Sequence, residues 1–125
     1  MVTRIDKRSL QKLLSGQVKA PTRCLIKFYN SNCHYCHSLK PVYEILSEEQ
    51  SHVQFFAFNT LDYPEISNIL GFEGVPTIMM LESGGELPRR TFIKEPVDPD
   101  PKTWYTGNNI REFLGGNDAK KSIIR

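Results

Sequence analysis

The stretch Cys24-Leu25-Ile26-Lys27-Phe28-Tyr29-Asn30-Ser31-Asn32-Cys33-His34-Tyr35-Cys36-His37 decides the fold. Its first six residues form a nearly continuous apolar run with aromatic rings, the pattern of a strand buried on both faces. Asn30, Ser31 and Asn32 then interrupt the run. From Cys33 to about Gln50, Leu39, Val42, Tyr43 and Leu46 recur at helical spacing and leave Glu44, Glu48 and Glu49 for the wet side. Pro41 lies inside that helix and should kink it, because proline removes one internal hydrogen bond. A buried strand thus gives way to an amphipathic helix, with two cysteines at the junction.

The same reading extends in both directions. Asp6 can cap a helix carrying Leu10, Leu13 and Leu14, with Gly16 as its stop. Residues 53–58 (Val-Gln-Phe-Phe-Ala-Phe) and 77–81 (Thr-Ile-Met-Met-Leu) read as two further strands, and 89–94 as a fourth. Between them, Pro64 suits the first turn of a helix whose apolar face is Ile66, Ile69 and Leu70, ended by Gly71. Ser83-Gly84-Gly85 signals a turn. Residues 95–103 hold three prolines and should form an exposed loop. A short helix follows with Ile110, Phe113 and Leu114, stopped by Gly115-Gly116, and residues 117–125 read as a basic, flexible tail. Strands alternating with helices define an α/β domain with at least one parallel pair.

Cys33-His34-Tyr35-Cys36 would sit at a helix N-terminus, where free backbone N–H groups and the helix dipole favour a thiolate. One helical turn lets the two sulfurs meet, so Cys33 can attack a disulfide and Cys36 can resolve the mixed disulfide. Two other chemistries share these residues. Cys33-x-x-Cys36-His37 is also the string of a c-type haem attachment site, with Met79 or Met80 as a notional far ligand. A zinc site would need a second Cys/His pair, and His52 is the one remaining histidine. A buried, inert cysteine pair is the plainest alternative. The strand-to-helix context favours redox exchange with no metal or cofactor.

At these residues the chain resembles the thioredoxin superfamily, including the catalytic domains of protein disulfide isomerases. Pro41 falls eight residues after Cys33, as in thioredoxins, and Gly71-Phe72-Glu73-Gly74-Val75-Pro76-Thr77 looks like the family segment that ends in a cis-proline loop. The strand at residues 24–29, Pro41-x-x-Glu44 and Tyr105-Thr106-Gly107 add to the likeness. It implies a thioredoxin fold: a mixed sheet of four to five strands with helices on both faces. It implies one domain over residues 1–116, with 95–103 as a proline-rich insertion. By the same resemblance Val75-Pro76 is cis, and Val75, Pro76, Gly74 and Asn32 form the substrate-binding surface. The implied partners are proteins with disulfides or dithiols and a recycling system of the thioredoxin-reductase or glutathione kind.

Five residues depart from the family. His34-Tyr35 matches none of the common dipeptides; a protonated His34 or a hydrogen bond from Tyr35 would stabilise the Cys33 thiolate and make the disulfide more oxidising than that of ordinary thioredoxin. Lys27 stands where the family usually has a buried acid. It can hold the Cys36 thiolate by charge, work as a base if burial lowers its pKa, or snorkel to solvent without a role. Asn32 replaces the usual Trp, removing an apolar docking surface. His37 replaces a common Lys and reads as a helix-surface residue, while Cys24 reads as a small apolar core residue.

Composition sets the outer limits. In 125 residues, three cysteines are too few for a disulfide scaffold, and twelve Phe and Tyr residues can fill a core. No stretch approaches the roughly 18 apolar residues of a membrane span. The net charge of +2 conceals +7 over residues 1–40, −6 over 41–75 and +1 over the rest. No aromatic-basic motif accompanies the basic segment, so nucleic acid is not an expected partner. The opening residues contain no apolar signal region, so the expected location is the cytoplasm, or an oxidising compartment if a signal peptide has been trimmed, with the protein a monomer. The competing function is a noncatalytic module that binds through the cis-proline face.

Overall fold

The computed structural model describes the backbone of residues 1–84 and 87–123, and side chains through residue 115. The elements run β1 (Val2–Arg4), α1 (Lys7–Leu14), β2 (Thr22–Tyr29), α2 (His34–Glu49), β3 (Gln54–Asn59), α3 (Ile66–Leu70), β4 (Thr77–Ser83), β5 (Arg89–Phe92) and α4 (Gly107–Ile123). A single 3-10 turn, Thr60–Asp62, follows β3. The strands form one sheet in the order β1-β3-β2-β4-β5. β2 pairs parallel with β3 and antiparallel with β4, so it lies at the centre, as its apolar run requires.

Alternation along the strands sorts the core into two layers. Leu25, Phe55, Ile78 and Met80 face α2 and α4, meeting Leu39, Tyr43, Leu46, Ile110 and Leu114. Ile26, Phe28, Phe58, Met79 and Leu81 face the other side, with Leu10 of α1 and Ile66 of α3. The Tyr43 ring is fully buried, and its hydroxyl lies 3.0 Å from the Leu25 carbonyl and 2.8 Å from the Phe56 carbonyl. That contact fixes α2 against the centre of the sheet. Tyr43→Phe should cost about 1–2 kcal/mol, measured by urea unfolding, because it removes the hydroxyl's buried hydrogen bond to the sheet.

Local chemistry explains the helix ends. Asp6 caps α1 by accepting from the Ser9 backbone N–H at 2.8 Å. Thr106 and Asn109 cap each other at the start of α4: the Thr106 N–H donates to Asn109 Oδ1 at 2.9 Å, and the Asn109 N–H to Thr106 Oγ1 at 3.1 Å. Gly71 ends α3 at φ 83°, a left-handed conformation that glycine adopts without a Cβ penalty.

Several expectations from the sequence need correction. β1 was not anticipated; it is three residues long and is held by parallel pairing with β3. α4 does not stop at Gly115-Gly116 but runs to Ile123, since an interior glycine costs a helix only about 1 kcal/mol. The expected flexible tail therefore overlaps a helix, and its last two residues lie outside those described, as does Gly85 of the expected turn. Ile69 is 55% exposed rather than part of an apolar face, because α3 is only five residues long and turns only Ile66 fully inward. Pro64 precedes α3 instead of opening it.

Candidate active site

Strand β2 and helix α2 place the two cysteines. The chain leaves β2 at Tyr29 and turns through Asn30, whose carbonyl accepts from the Cys33 N–H at 2.9 Å and whose Oδ1 accepts from the Asn32 N–H at 2.8 Å. Cys33 is the N-cap of α2, its sulfur accepting from the Cys36 backbone N–H at 3.2 Å. An N-cap sulfur receives an N–H that the helix cannot otherwise satisfy, and this favours the anionic form. Cys33 and Cys36 are joined as a disulfide with their Cα atoms 5.3 Å apart. Cys33 is half-buried and Cys36 is 4% exposed, so the first sulfur is the one solvent can reach.

The Val75–Pro76 peptide bond is cis, and the Cys33 sulfur lies 3.7 Å from the Val75 carbonyl oxygen. Gly74 adopts φ 74°, and the Thr77 hydroxyl donates to its carbonyl at 2.8 Å. The loop so shaped brings Val75 to the disulfide. Gly74 and Asn32 are exposed, and Pro76 is buried.

Lys27 belongs behind the disulfide, not at the surface. It has the same strand parity as Leu25 and so faces α2; only 5% of it is exposed. It does not snorkel to open solvent. A cavity of about 360 Å³ holds it together with Cys36, Tyr43 and Glu44, and with three other basic side chains, Arg4, His37 and Lys40. The Lys27 ammonium lies 4.9 Å from the Tyr43 ring centre and 5.7 Å from that of Tyr29. Burial first, then the charge of Lys40, lowers its pKa to about 8, against an opposing effect of Glu44.

The tuning candidates separate. His34 is exposed on the first turn of α2. Tyr35 is half-buried and makes edge contacts with His34, centroids 6.0 Å apart, and with Trp104, 5.5 Å apart. His37 is exposed, and its Nε2 lies 2.6 Å from the Ser31 carbonyl, tying the helix to the loop before Cys33. Cys24 is buried, and burial pushes its thiol pKa up to about 12, which leaves it unreactive. Met79 and Met80 are fully buried on opposite faces of the sheet, so neither could ligate a haem without rebuilding the core.

Sequence reasoning missed Trp104. Residues 95–103 are not merely a spacer: Asp100 Oδ1 accepts from the Lys102 and Thr103 N–H groups, and Asp100 and Trp104 exchange backbone hydrogen bonds at 2.9 and 3.0 Å. This turn delivers Trp104 to Tyr35. Trp104 has φ 66°, the one non-glycine positive φ among the described residues, a conformation costing about 1–3 kcal/mol. The three prolines of residues 95–103 announce a loop but not the Asp100 turn that places Trp104.

A five-stranded mixed sheet, with a cysteine pair at the N-terminus of its central crossover helix facing a cis-proline loop, defines a class of fold. Comparison with known proteins agrees: the model of the Thioredoxin family matches residues 5–95, and the chain belongs to that family. It is 32% identical to the mitochondrial thioredoxin-2 of Schizosaccharomyces pombe over 73 residues, 58% of this chain and 55% of that one. It is 32% identical to a thioredoxin of Chlamydia caviae over 71 residues, 57% of this chain and 70% of the other. The chain therefore spans little more than half the length of the first of these relatives. Chloroplastic thioredoxin z superposes with a TM-score of 0.68 at 22% identity, covering 94% of this chain and 95% of that one. The J-Trx1 fragment of ERdj5 gives 0.67 at 16% identity, over 93% of this chain and 51% of the other.

Proposed function

We propose that the chain is a thiol–disulfide oxidoreductase acting on proteins. The observation that carries this reading is a bonded Cys33–Cys36 pair at the start of α2, with the more accessible sulfur at the N-cap. In the reductive direction the Cys33 thiolate attacks a substrate disulfide, forming a mixed disulfide and releasing one substrate thiolate. Cys36, deprotonated, then attacks the Cys33 sulfur and releases the second substrate thiol. Two electrons pass to the substrate as the Cys33–Cys36 disulfide forms; the opposite direction runs the same steps backwards.

Val75, with Gly74, Pro76 and Asn32 around it, positions the substrate chain beside Cys33. Lys27 favours the Cys36 thiolate by charge, and Tyr35 and His34 act on Cys33. A thioredoxin-reductase-like or glutathione system would restore the pair. The assay is insulin reduction by dithiothreitol: the chain accelerates precipitation of the insulin B chain, whereas a noncatalytic binding module leaves the rate at background.

The cations behind Cys36 stabilise its thiolate and with it the reduced form. Equilibration with a glutathione buffer is expected to give a potential above the roughly −270 mV of thioredoxin. A value at or below that figure would sink the oxidising character while leaving the exchange chemistry standing.

A further inference from the structure

The two sides of the disulfide carry opposite charge. Behind Cys36 the cavity holds Arg4, Lys27, His37 and Lys40 against a single carboxylate, Glu44. On the Cys33 side, a groove of about 450 Å³ follows the cis-proline loop from Tyr35 and Val75 to Trp104. Its lining includes no Lys or Arg. Its charged groups are two carboxylates, Glu73 and Glu95, beside the rings of Tyr35, Phe72 and Trp104. Both carboxylates are exposed, and neither has an ion-pair partner among the described residues.

Aromatic faces next to unpaired carboxylates make an environment for a cation: the rings attract it through their quadrupoles and the carboxylates neutralise it. The Asp100 turn, with Trp104 at φ 66°, sets the indole against Tyr35, one residue before Cys36. The Cys33 sulfur lies 3.7 Å from the carbonyl of Val75, a residue that lines this groove.

We infer that this groove is a subsite for a Lys or Arg side chain lying within about three residues of the substrate cysteine, roughly 10 Å of extended chain. This rests on the exchange function proposed above and names the class of protein substrate it prefers: cysteines in basic segments. Trp104 and Tyr35 supply the apolar docking wall that Asn32 does not, and Glu73 and Glu95 give it a charge preference.

The test uses the reduced 125-residue chain, freed of dithiothreitol, in single turnover with symmetric peptide disulfides that differ only in having Arg or Glu two residues from the cysteine. A small neutral disulfide, hydroxyethyl disulfide, is run beside them. Each turnover oxidises Cys33 and Cys36 to their disulfide and releases two thiols, which are counted. The Arg peptide should react about tenfold faster than the Glu peptide at low salt, with the ratio falling as salt screens the carboxylates. In Glu73→Gln/Glu95→Gln the ratio should fall towards one. Trp104→Gly, which suits the positive φ and removes only the indole, should lower it as well. Equal rates for the two peptides, with the neutral disulfide still reduced, overturn the subsite and leave the exchange function intact. A tenfold ratio that survives in the double Gln variant also overturns it. Failure to reduce the neutral disulfide overturns the exchange reading, and the subsite with it.

Discussion

Serine at position 33 should reduce insulin turnover to the dithiothreitol background, a loss of at least about a hundredfold, since an alkoxide is not available near neutral pH to replace a thiolate. The geometry makes the two cysteines unequal. Cys33 receives the Cys36 N–H on its sulfur and faces Val75, whereas Cys36 is 4% exposed and lines the cavity that holds Lys27. Cys36→Ser should therefore still permit the first attack but not the second, and a covalent adduct of chain and substrate should accumulate. Mass spectrometry under non-reducing conditions reads that adduct directly. Full turnover by Cys33→Ser would remove Cys33 as the nucleophile, whereas background rates for both the native chain and the variant would leave only the binding-module reading. An adduct formed by Cys33→Ser but not by Cys36→Ser would reverse the two roles.

How much of this was legible depended on whether the signal was local. β2, β3 and β4 are buried on both faces, so unbroken apolar runs announced them, and the stripe on α2 did the same for the helix that carries the cysteines. β1 gave no such signal: Thr3 and Arg4 are exposed, and its three residues are strand only because β3 pairs with them. Trp104 was illegible for a similar reason. Its place depends on a positive φ and an Asp100 turn at the end of a proline-rich loop, neither of which has a period. Lys27 was half legible. Strict alternation from Leu25 puts it on the α2 face, but whether a long amine at that position reaches water is decided by what α2 and β1 place over it.

Replacement of Lys27 by Met should stabilise the protein at neutral pH, and the gain should vanish in alkali. Burial lowers the Lys27 pKa from 10.5 to about 8, so the charged amine is disfavoured in the folded chain relative to the unfolded one. A displacement of that size corresponds to about 3 kcal/mol at 1.36 kcal/mol per pH unit. The whole penalty acts below pH 8. Between about pH 8 and 10.5 the folded chain has released the proton and the unfolded chain has not, so stability rises with pH; beyond that range the penalty is gone. Methionine fills a similar volume without a charge but loses the contacts with the Tyr43 and Tyr29 rings, worth about 1 kcal/mol. The net gain at pH 7 should be about 2 kcal/mol, read from urea unfolding, and should be absent or reversed at pH 10.5. Function should move the other way. Without the cation behind Cys36 the reduced form loses stabilisation, so the potential should fall by about 30 mV for each 1.4 kcal/mol lost, and the limb of the turnover profile near pH 8 should disappear. A variant more stable at pH 7 but unchanged in potential and pH profile would make Lys27 a structural cost with no part in the exchange. One that loses both stability and potential would show that Glu44 compensates the ammonium better than its other neighbours, Arg4, His37 and Lys40, imply.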